Sequence, residues 1–164
     1  MARCIIAGIL TTYAIAVLQS TIAGRLAVWR VAPDLLFVWT VCVGLLYRAG
    51  PGALVGWGSG LLEGALQQRW IGAYAVSKTI SGFLAGHLGT KMFKENWLVP
   101  LVCAGLLTLV NEAGFLLLSR GGVWPAAGRV VGVRVLYHAA LAPFALAAVR
   151  RGHRLLMRGR EEQA

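Results

Sequence analysis

Five ionisable side chains lie inside long apolar stretches of this chain, and any chemistry would have to begin with them. They are Asp34, Glu63, Lys78, Glu112 and Arg134. Charged groups are costly in hydrocarbon, so they normally face the interior of a helix bundle and pair with one another. The same carboxyl, amino and guanidinium groups bind ligands when they line a pocket. These five residues are therefore the first candidates for a functional site.

Each of the five also has a structural interpretation. Asp34 stands where a helix is expected to begin, and a carboxylate there satisfies free N–H groups and the helix dipole. Glu63 and Lys78 are expected to pair across two helices, the alternative being contact with a ligand or a partner protein. Glu112 is expected to add a hydrogen-bonded contact between helices. Arg134 either joins these groups or extends its side chain to the membrane interface.

Motifs of known catalytic centres are missing from the sequence. The glutamates have no HExxH context, so the ligands of a metalloprotease are lacking. There is no Ser-His-Asp grouping, phosphate-binding loop or catalytic pair of aspartates. His87 and His138 are single histidines in apolar stretches and are expected to be core residues, and Cys4, Cys42 and Cys103 are too widely spaced for a disulfide framework or metal site. We therefore predict a protein that is not an enzyme and uses no cofactor.

Composition places the chain among membrane proteins. Of its 164 residues, 58% are hydrophobic and 13% are charged, and the mean hydropathy is +0.70. A soluble domain has about a quarter of its residues charged. The net charge of +10 is carried by short connections and the C-terminal tail. Membrane topology and lipid headgroups explain such charges, so we predict contact with membrane lipid and no binding of nucleic acid.

Six apolar segments are each long enough to cross a hydrocarbon core of about 30 Å, given some local thinning. The connections between them are short and contain no linker or repeat. We therefore predict one membrane domain over residues 1–164, an all-α bundle of six transmembrane helices. The third segment is short and rich in glycine, which predicts a tilted or broken helix shielded by its neighbours. The segments are 4–24, 31–47, 51–67, 71–91, 98–118 and 129–149.

A basic tail over residues 150–164 determines the expected orientation. Its arginines put most of the positive charge on the side that holds both termini, which predicts a multi-pass plasma-membrane protein with both ends in the cytoplasm. The tail is expected to bind anionic lipid, with a cytoplasmic partner protein as the alternative. This topology also puts all five ionisable residues in the outer half of the bilayer, as an outward-facing polar cluster. The tail arginines are Arg150, Arg151, Arg154, Arg158 and Arg160.

Glycines recur at helical spacing in the third and fourth segments. Gly52, Gly56, Gly60 and Gly64 follow one another at every fourth residue, so they share one face of a helix. Such a face lets another backbone approach closely. Either a partner's transmembrane helix lies in this groove, or the groove packs within the bundle, and Gly82 and Gly86 form a second groove of the same kind.

The order of these motifs resembles the bacterial rod shape-determining protein MreD family over about residues 31 to 90. That family has Pro-Asp and aliphatic residues opening the second span, a glycine-rich segment ending in Gly-Leu-Leu-Gln/Glu-Asp, a Gly-x-x-Ala-x-x-Lys-like segment, and Gly-Tyr/Phe-x-x-Gly. Where the family usually has the aspartate, this chain has Gly64, and the acid falls at Glu63. The matching residues are Pro33-Asp34-Leu35-Leu36, then Gly56 to Glu63, then Gly72, Ala75 and Lys78, and Gly82-Phe83-Leu84-Ala85-Gly86.

The resemblance implies a fold like that of the substrate-binding S components of energy-coupling-factor vitamin transporters. It also implies a scaffold of the bacterial elongation complex, which maintains cell shape and lateral cell-wall synthesis. The direct partner would be MreC, and through it the MreB filament, RodA and penicillin-binding protein 2. The alternative is a vitamin-binding S component, in which Asp34, Glu63, Lys78 and Glu112 would line the ligand pocket.

Overall fold

Six α-helices make up the fold in the computed structural model, which describes residues 2–22, 25, 27, 31–91, 98–119 and 124–161. Side chains are described for the same residues except 2–5, 91, 124–127 and 153–161. The described residues contain no β-strand, which agrees with the predicted all-α class. The helices are α1 (Ala2–Ile22), α2 (Leu35–Tyr47), α3 (Ala49–Gln67), α4 (Ile71–Lys91), α5 (Leu98–Leu118) and α6 (Trp124–Glu161).

Two of the described helical stretches are long and apolar enough to cross a membrane. They are Leu98–Leu118, with a mean hydropathy of 2.0, and Gly128–Gly152, with a mean hydropathy of 1.6. The stretches Ile6–Ile22 and Leu35–Tyr47 are apolar but shorter. Glycine and charged residues lower the hydropathy of α3 and α4. The other four spans and the orientation of the termini therefore stay predictions.

The short helix α2 lies at the centre of the bundle. It packs against each of the other five helices, and most of its side chains are buried. Phe37, Val41 and Cys42 have no exposed surface and join the main core cluster. Small residues from the neighbouring helices complete that cluster, including Ala85 of α4 and Ala104 of α5. The position of α2 brings its N-terminus within reach of side chains from α3, α4 and α6.

Very short connections join α2 to α3 and α3 to α4. Arg48 is the single residue between α2 and α3, and its φ of 84° lies in the left-handed region. Gln68 ends α3 in the left-handed conformation, with a φ of 54°, and its N–H donates to the carbonyls of Ala65 and Gly64. Connections this short force consecutive helices to lie side by side. Between these connections, α3 runs without interruption from Ala49 to Gln67, so the predicted third segment is not broken.

The glycine face of α3 packs against α4 within the same chain. A Cβ placed on Gly56 would overlap the carbonyl of Lys78, and one placed on Gly60 would overlap the backbone of Tyr74 and Ala75. Gly52 meets Gly82 in the same way. We call this contact the glycine seam; its members are Gly52, Gly56, Gly60 and Gly64 of α3 with Gly82 and Gly86 of α4.

The seam decides between the two interpretations of the glycine groove. Gly86 approaches the backbone of Arg48 and Ala49, and Gly64 approaches Ile71, so the groove is filled along its whole length. A helix from a partner would have to displace α4 to enter it. The expectation that these glycines receive a partner's span is wrong for this structure, because the adjacent helix of the same chain occupies the site.

The last helix is much longer than the segment predicted from hydropathy. It has 38 residues, so it extends about 57 Å at 1.5 Å per residue. The predicted span 129–149 is its central part, and the basic tail continues the same helix to Glu161. Arg150 and Arg151 lie on this continuation, whereas the side chains of Arg154, Arg158 and Arg160 lie outside the described residues.

Candidate functional site

Lys78 is the centre of a buried charged site that joins three helices. Its side chain has no exposed surface, and its Nζ contacts both Asp34 Oδ2 and Glu63 Oε2, the latter at 2.5 Å. Asp34 immediately precedes α2, Glu63 belongs to α3 and Lys78 belongs to α4. The expected pairing of Glu63 with Lys78 is confirmed. The contact between Lys78 and Asp34 was not predicted. We call these three residues the acid–lysine triad.

Local sequence explains how Asp34 is held in place. Its backbone is extended, with φ −94° and ψ 93°, and the helix begins at the next residue. Its Oδ1 accepts a hydrogen bond of 2.8 Å from the N–H of Phe37, which confirms the expected helix cap. The other oxygen of the same carboxylate is left for Lys78. One side chain therefore both caps α2 and forms an ion pair with α4.

The glycine seam brings Lys78 to the acids. Because Gly56 has no side chain, the backbone of α4 comes into contact with α3 at Lys78 itself. Glu63 lies about two turns further along α3 on the side that faces α4, and it is 4% exposed. A larger residue at position 56 would push Lys78 away from both carboxyl groups. The seam and the acid–lysine triad are therefore one structural unit.

A second ion pair links α5 and α6. Arg134 Nη1 donates to Glu112 Oε1 at 2.7 Å, and the two side chains are 28% and 9% exposed. The predicted interhelical contact of Glu112 is confirmed, and Arg134 joins the polar cluster instead of extending alone to an interface. The five predicted residues thus form two groups, a triad and a pair. The outward orientation of these groups stays a prediction.

His138 connects the triad to α5 and α6. Its Nε2 accepts a hydrogen bond of 3.1 Å from the backbone N–H of Asp34, and its Nδ1 lies 2.9 Å from Thr108 Oγ1. The ring packs against Phe37, with 4.9 Å between ring centroids. His138 is 1% exposed, so the expectation of a core histidine is confirmed. Its bond to Asp34 was missed, because 104 residues separate the partners and only the helix packing brings them together.

Thr108 determines the tautomer of His138. The Thr108 hydroxyl donates its hydrogen to the carbonyl of Ala104 at 2.6 Å, so it can only accept from the ring. Nδ1 of His138 must therefore carry a hydrogen. Nε2 accepts from Asp34, so it carries none. His138 is a neutral imidazole in this arrangement.

Several buried polar atoms in and beside these groups have no hydrogen-bond partner within the described part of the chain. They lie on α3, α5 and α6, the helices that supply Glu63, Glu112 and Arg134. Buried polar atoms are costly when they are unpaired. They are Ser59 Oγ, Asn111 Oδ1 and Arg134 Nε, whereas Glu63 Oε2 lies 2.5 Å from Lys78 Nζ.

Comparison of the chain with models of protein families, with curated proteins and with solved structures finds no match. The resemblance to MreD therefore stays a prediction from the sequence.

The bond between Thr108 and His138 leads to a stability prediction. Thr108→Val keeps the shape of the side chain but leaves the His138 Nδ1–H without an acceptor. We expect a loss of about 1–3 kcal/mol in the free energy of unfolding, the usual cost of an unpaired buried donor. Chemical unfolding of the full chain in mild detergent would measure it.

Thr79→Val is the matched control. Thr79 also donates to a carbonyl of its own helix, that of Ala75 at 2.6 Å. No described histidine N–H depends on Thr79, so we expect a much smaller loss in the free energy of unfolding. Equal losses in the two variants would show that His138 does not need Thr108.

Proposed function

We propose that this protein is a non-enzymatic scaffold subunit of the bacterial elongation complex, which supports rod shape and lateral peptidoglycan synthesis by binding MreC. The observation that supports this proposal most is where the resembling residues lie. Asp34, Glu63 and Lys78, which carry the resemblance, form the acid–lysine triad. Gly56 and Gly82 form the seam beside it. The residues that carry the resemblance thus hold α2, α3 and α4 together, which favours a structural role over a catalytic one.

The exposed surface supports a place in the membrane. Only 33% of the Leu98–Leu118 window and 22% of the Gly128–Gly152 window are buried in the structure, whereas a core helix of a soluble protein is mostly buried. Large apolar side chains such as Leu106, Leu136 and Phe144 are more than half exposed. Lipid or the span of a partner would cover this surface. The proposal places the protein in the plasma membrane as a six-span bundle with both termini in the cytoplasm.

The proposed contact with MreC lies outside the glycine seam. Since α4 fills the groove of α3, the single span of MreC would contact the outer apolar surface of the bundle. MreB, RodA and penicillin-binding protein 2 would be reached through MreC. The basic continuation of α6 would contact anionic lipid at the cytoplasmic side.

The alternative, a vitamin-binding S component, needs polar side chains that are free to contact a ligand. Lys78 is engaged by two carboxyl groups, and Glu112 is engaged by Arg134. These internal ion pairs favour a structural role for the cluster over a pocket for a vitamin.

Depletion of the protein in a rod-shaped host, followed by microscopy in rich medium, tests the proposal. We expect the cells to round and swell, and we expect a plasmid copy of the wild-type chain to restore the rods. A Gly58→Ala copy is the control, since this glycine has open space around it and the change should be silent. Co-purification with MreC would follow. Unchanged rods would contradict the scaffold, and a defect confined to vitamin-poor medium would favour the S component.

A further inference from the structure

Among the described side chains, the buried charges do not balance. Three carboxyl groups, those of Asp34, Glu63 and Glu112, face two permanent cations, Lys78 and Arg134. Arg134 and Glu112 form a pair of zero net charge. The acid–lysine triad is left with one ammonium group for two carboxyl groups. If both were ionised, a full negative charge would be buried without a partner, which is strongly unfavourable away from water.

His138 does not supply the missing positive charge. It is the histidine next to Asp34, but its Nε2 accepts a hydrogen bond from the Asp34 N–H and therefore carries no hydrogen. Protonation of that nitrogen would break the bond and set two donors against each other. Tyr74 of α4 and Arg134 of α6 also interact electrostatically with Glu63, but a phenol adds no positive charge and Arg134 is already paired with Glu112. Within the described residues, the balance must come from a proton or a bound cation.

The hydrogen bonds distinguish the two acids. Asp34 accepts from the N–H of Phe37 with one oxygen and from Lys78 with the other, as an ionised carboxylate does. Glu63 has one donor within the described residues, Lys78 Nζ, which lies 2.5 Å from its Oε2. The carboxyl groups of Asp34 and Glu63 lie close together, because both contact the same Lys78 Nζ. Two carboxyl groups this close favour a proton on one of them, and the extra N–H donor from Phe37 stabilises Asp34 as the ionised one.

We propose that the acid–lysine triad is a proton-binding site, with one proton held on the Glu63 carboxyl group beside ionised Asp34 and protonated Lys78. Ser59 supports this assignment. It lies one turn before Glu63 on the same face of α3. Its fully buried Oγ has no partner among the described residues and is an acceptor of the kind that a protonated carboxyl group needs. The proton comes from water and returns to water, and only an O–H bond forms or breaks. This inference does not depend on the partner of the protein or on its role in cell shape.

Proton binding in this position controls the contact between helices. Loss of the proton would put two negative charges on α3 and at the start of α2, with one lysine of α4 between them. The seam would then be held against a charge repulsion that is absent in the protonated state. Occupancy by the proton therefore favours the closed arrangement of α2, α3 and α4.

Infrared spectroscopy of the protein in detergent tests the site, with the spectrum of each variant subtracted from that of the wild type. At neutral pH we expect the C=O band of a protonated carboxyl group in the wild type and its loss in Glu63→Gln. Glu112→Gln is the matched control and should keep the band, because Glu112 pairs with Arg134 outside the triad. Absence of the band in the wild type, or its persistence in Glu63→Gln, would overturn the proposal.

Thermal unfolding gives a second, independent readout. Glutamine resembles a neutral glutamic acid, so Glu63→Gln should unfold within a few degrees of the wild type, whereas Asp34→Asn should unfold clearly earlier. If Glu63→Gln fails to fold while Glu112→Gln folds, Glu63 is needed as an anion and the proposal is wrong. It is also wrong if exchanging sodium for potassium at fixed ionic strength shifts the wild type but not Glu63→Gln, because a metal cation would then replace the proton.

Discussion

Lys78→Met is expected to destabilise the protein by about 3–5 kcal/mol, the cost of removing one partner from a buried ion pair. Methionine fills most of the space of lysine, so packing is largely kept. The loss would come mainly from ionised Asp34, which would remain buried without its cation, and in part from the lost contact between Glu63 and Lys78. Equilibrium unfolding of the purified chain in mixed detergents would measure the change in free energy.

A double variant separates charge from packing in this experiment. Asp34→Asn keeps an oxygen that can cap α2 but removes the negative charge that Lys78 balances. We expect Lys78→Met with Asp34→Asn to be less destabilised than the sum of the two single variants. Strictly additive losses would show that the two side chains are not coupled. Arg151→Met is the control for removing a cation from an exposed position and should stay close to the wild type.

Gly56→Leu is expected to have an effect of similar size, about 3 kcal/mol or more, at the upper end of the cost of overpacking. The new side chain would meet the backbone of Lys78 and Thr79, which cannot move aside as a side chain can. Separation of α3 from α4 would also break the bond between Glu63 and Lys78. The same unfolding measurement applies, together with the yield of folded protein after extraction.

Gly58→Leu is the matched control for the seam. It lies two residues further along the same helix, and nothing lies within 4 Å of the position of its Cβ. The same substitution there should change stability little, because the side chain would extend away from the bundle. Similar losses at positions 56 and 58 would indicate a general intolerance of leucine in α3 and would contradict the packing role of the seam.

The sequence predicts the helices well and their mutual contacts only in part. Hydropathy and the positions of Pro33 and the glycines located all six helices, because these signals are local. The cap formed by Asp34 is local too. Glu63 and Lys78 were paired correctly because their helices are consecutive and their connection is short, which leaves one arrangement for neighbouring faces.

Other contacts depend on helix rotation, which periodicity alone does not provide. Asp34 and Lys78 are 44 residues apart. Arg134 was equally expected to extend to the membrane interface. The bond from Asp34 to His138 requires α6 to lie beside the start of α2, which follows from packing of the whole bundle. The spacing of the α3 glycines correctly predicted a close helix contact. The spacing could not identify the contacting helix, because a face of glycines admits α4 and a partner's span equally closely.

In the six-span topology proposed above, the acid–lysine triad has a consequence for how the chain would be synthesised and inserted. Its two acids belong to the start of α2 and to α3, whereas its only cation is on α4, which leaves the ribosome later. Until α4 arrives, the earlier hairpin contains two carboxyl groups with no cation and is a poor substrate for release into lipid. We therefore expect the insertion machinery to retain α2 and α3 until α4 has entered beside them, so that translation speed between Gln67 and Lys78 influences the yield of correctly inserted protein.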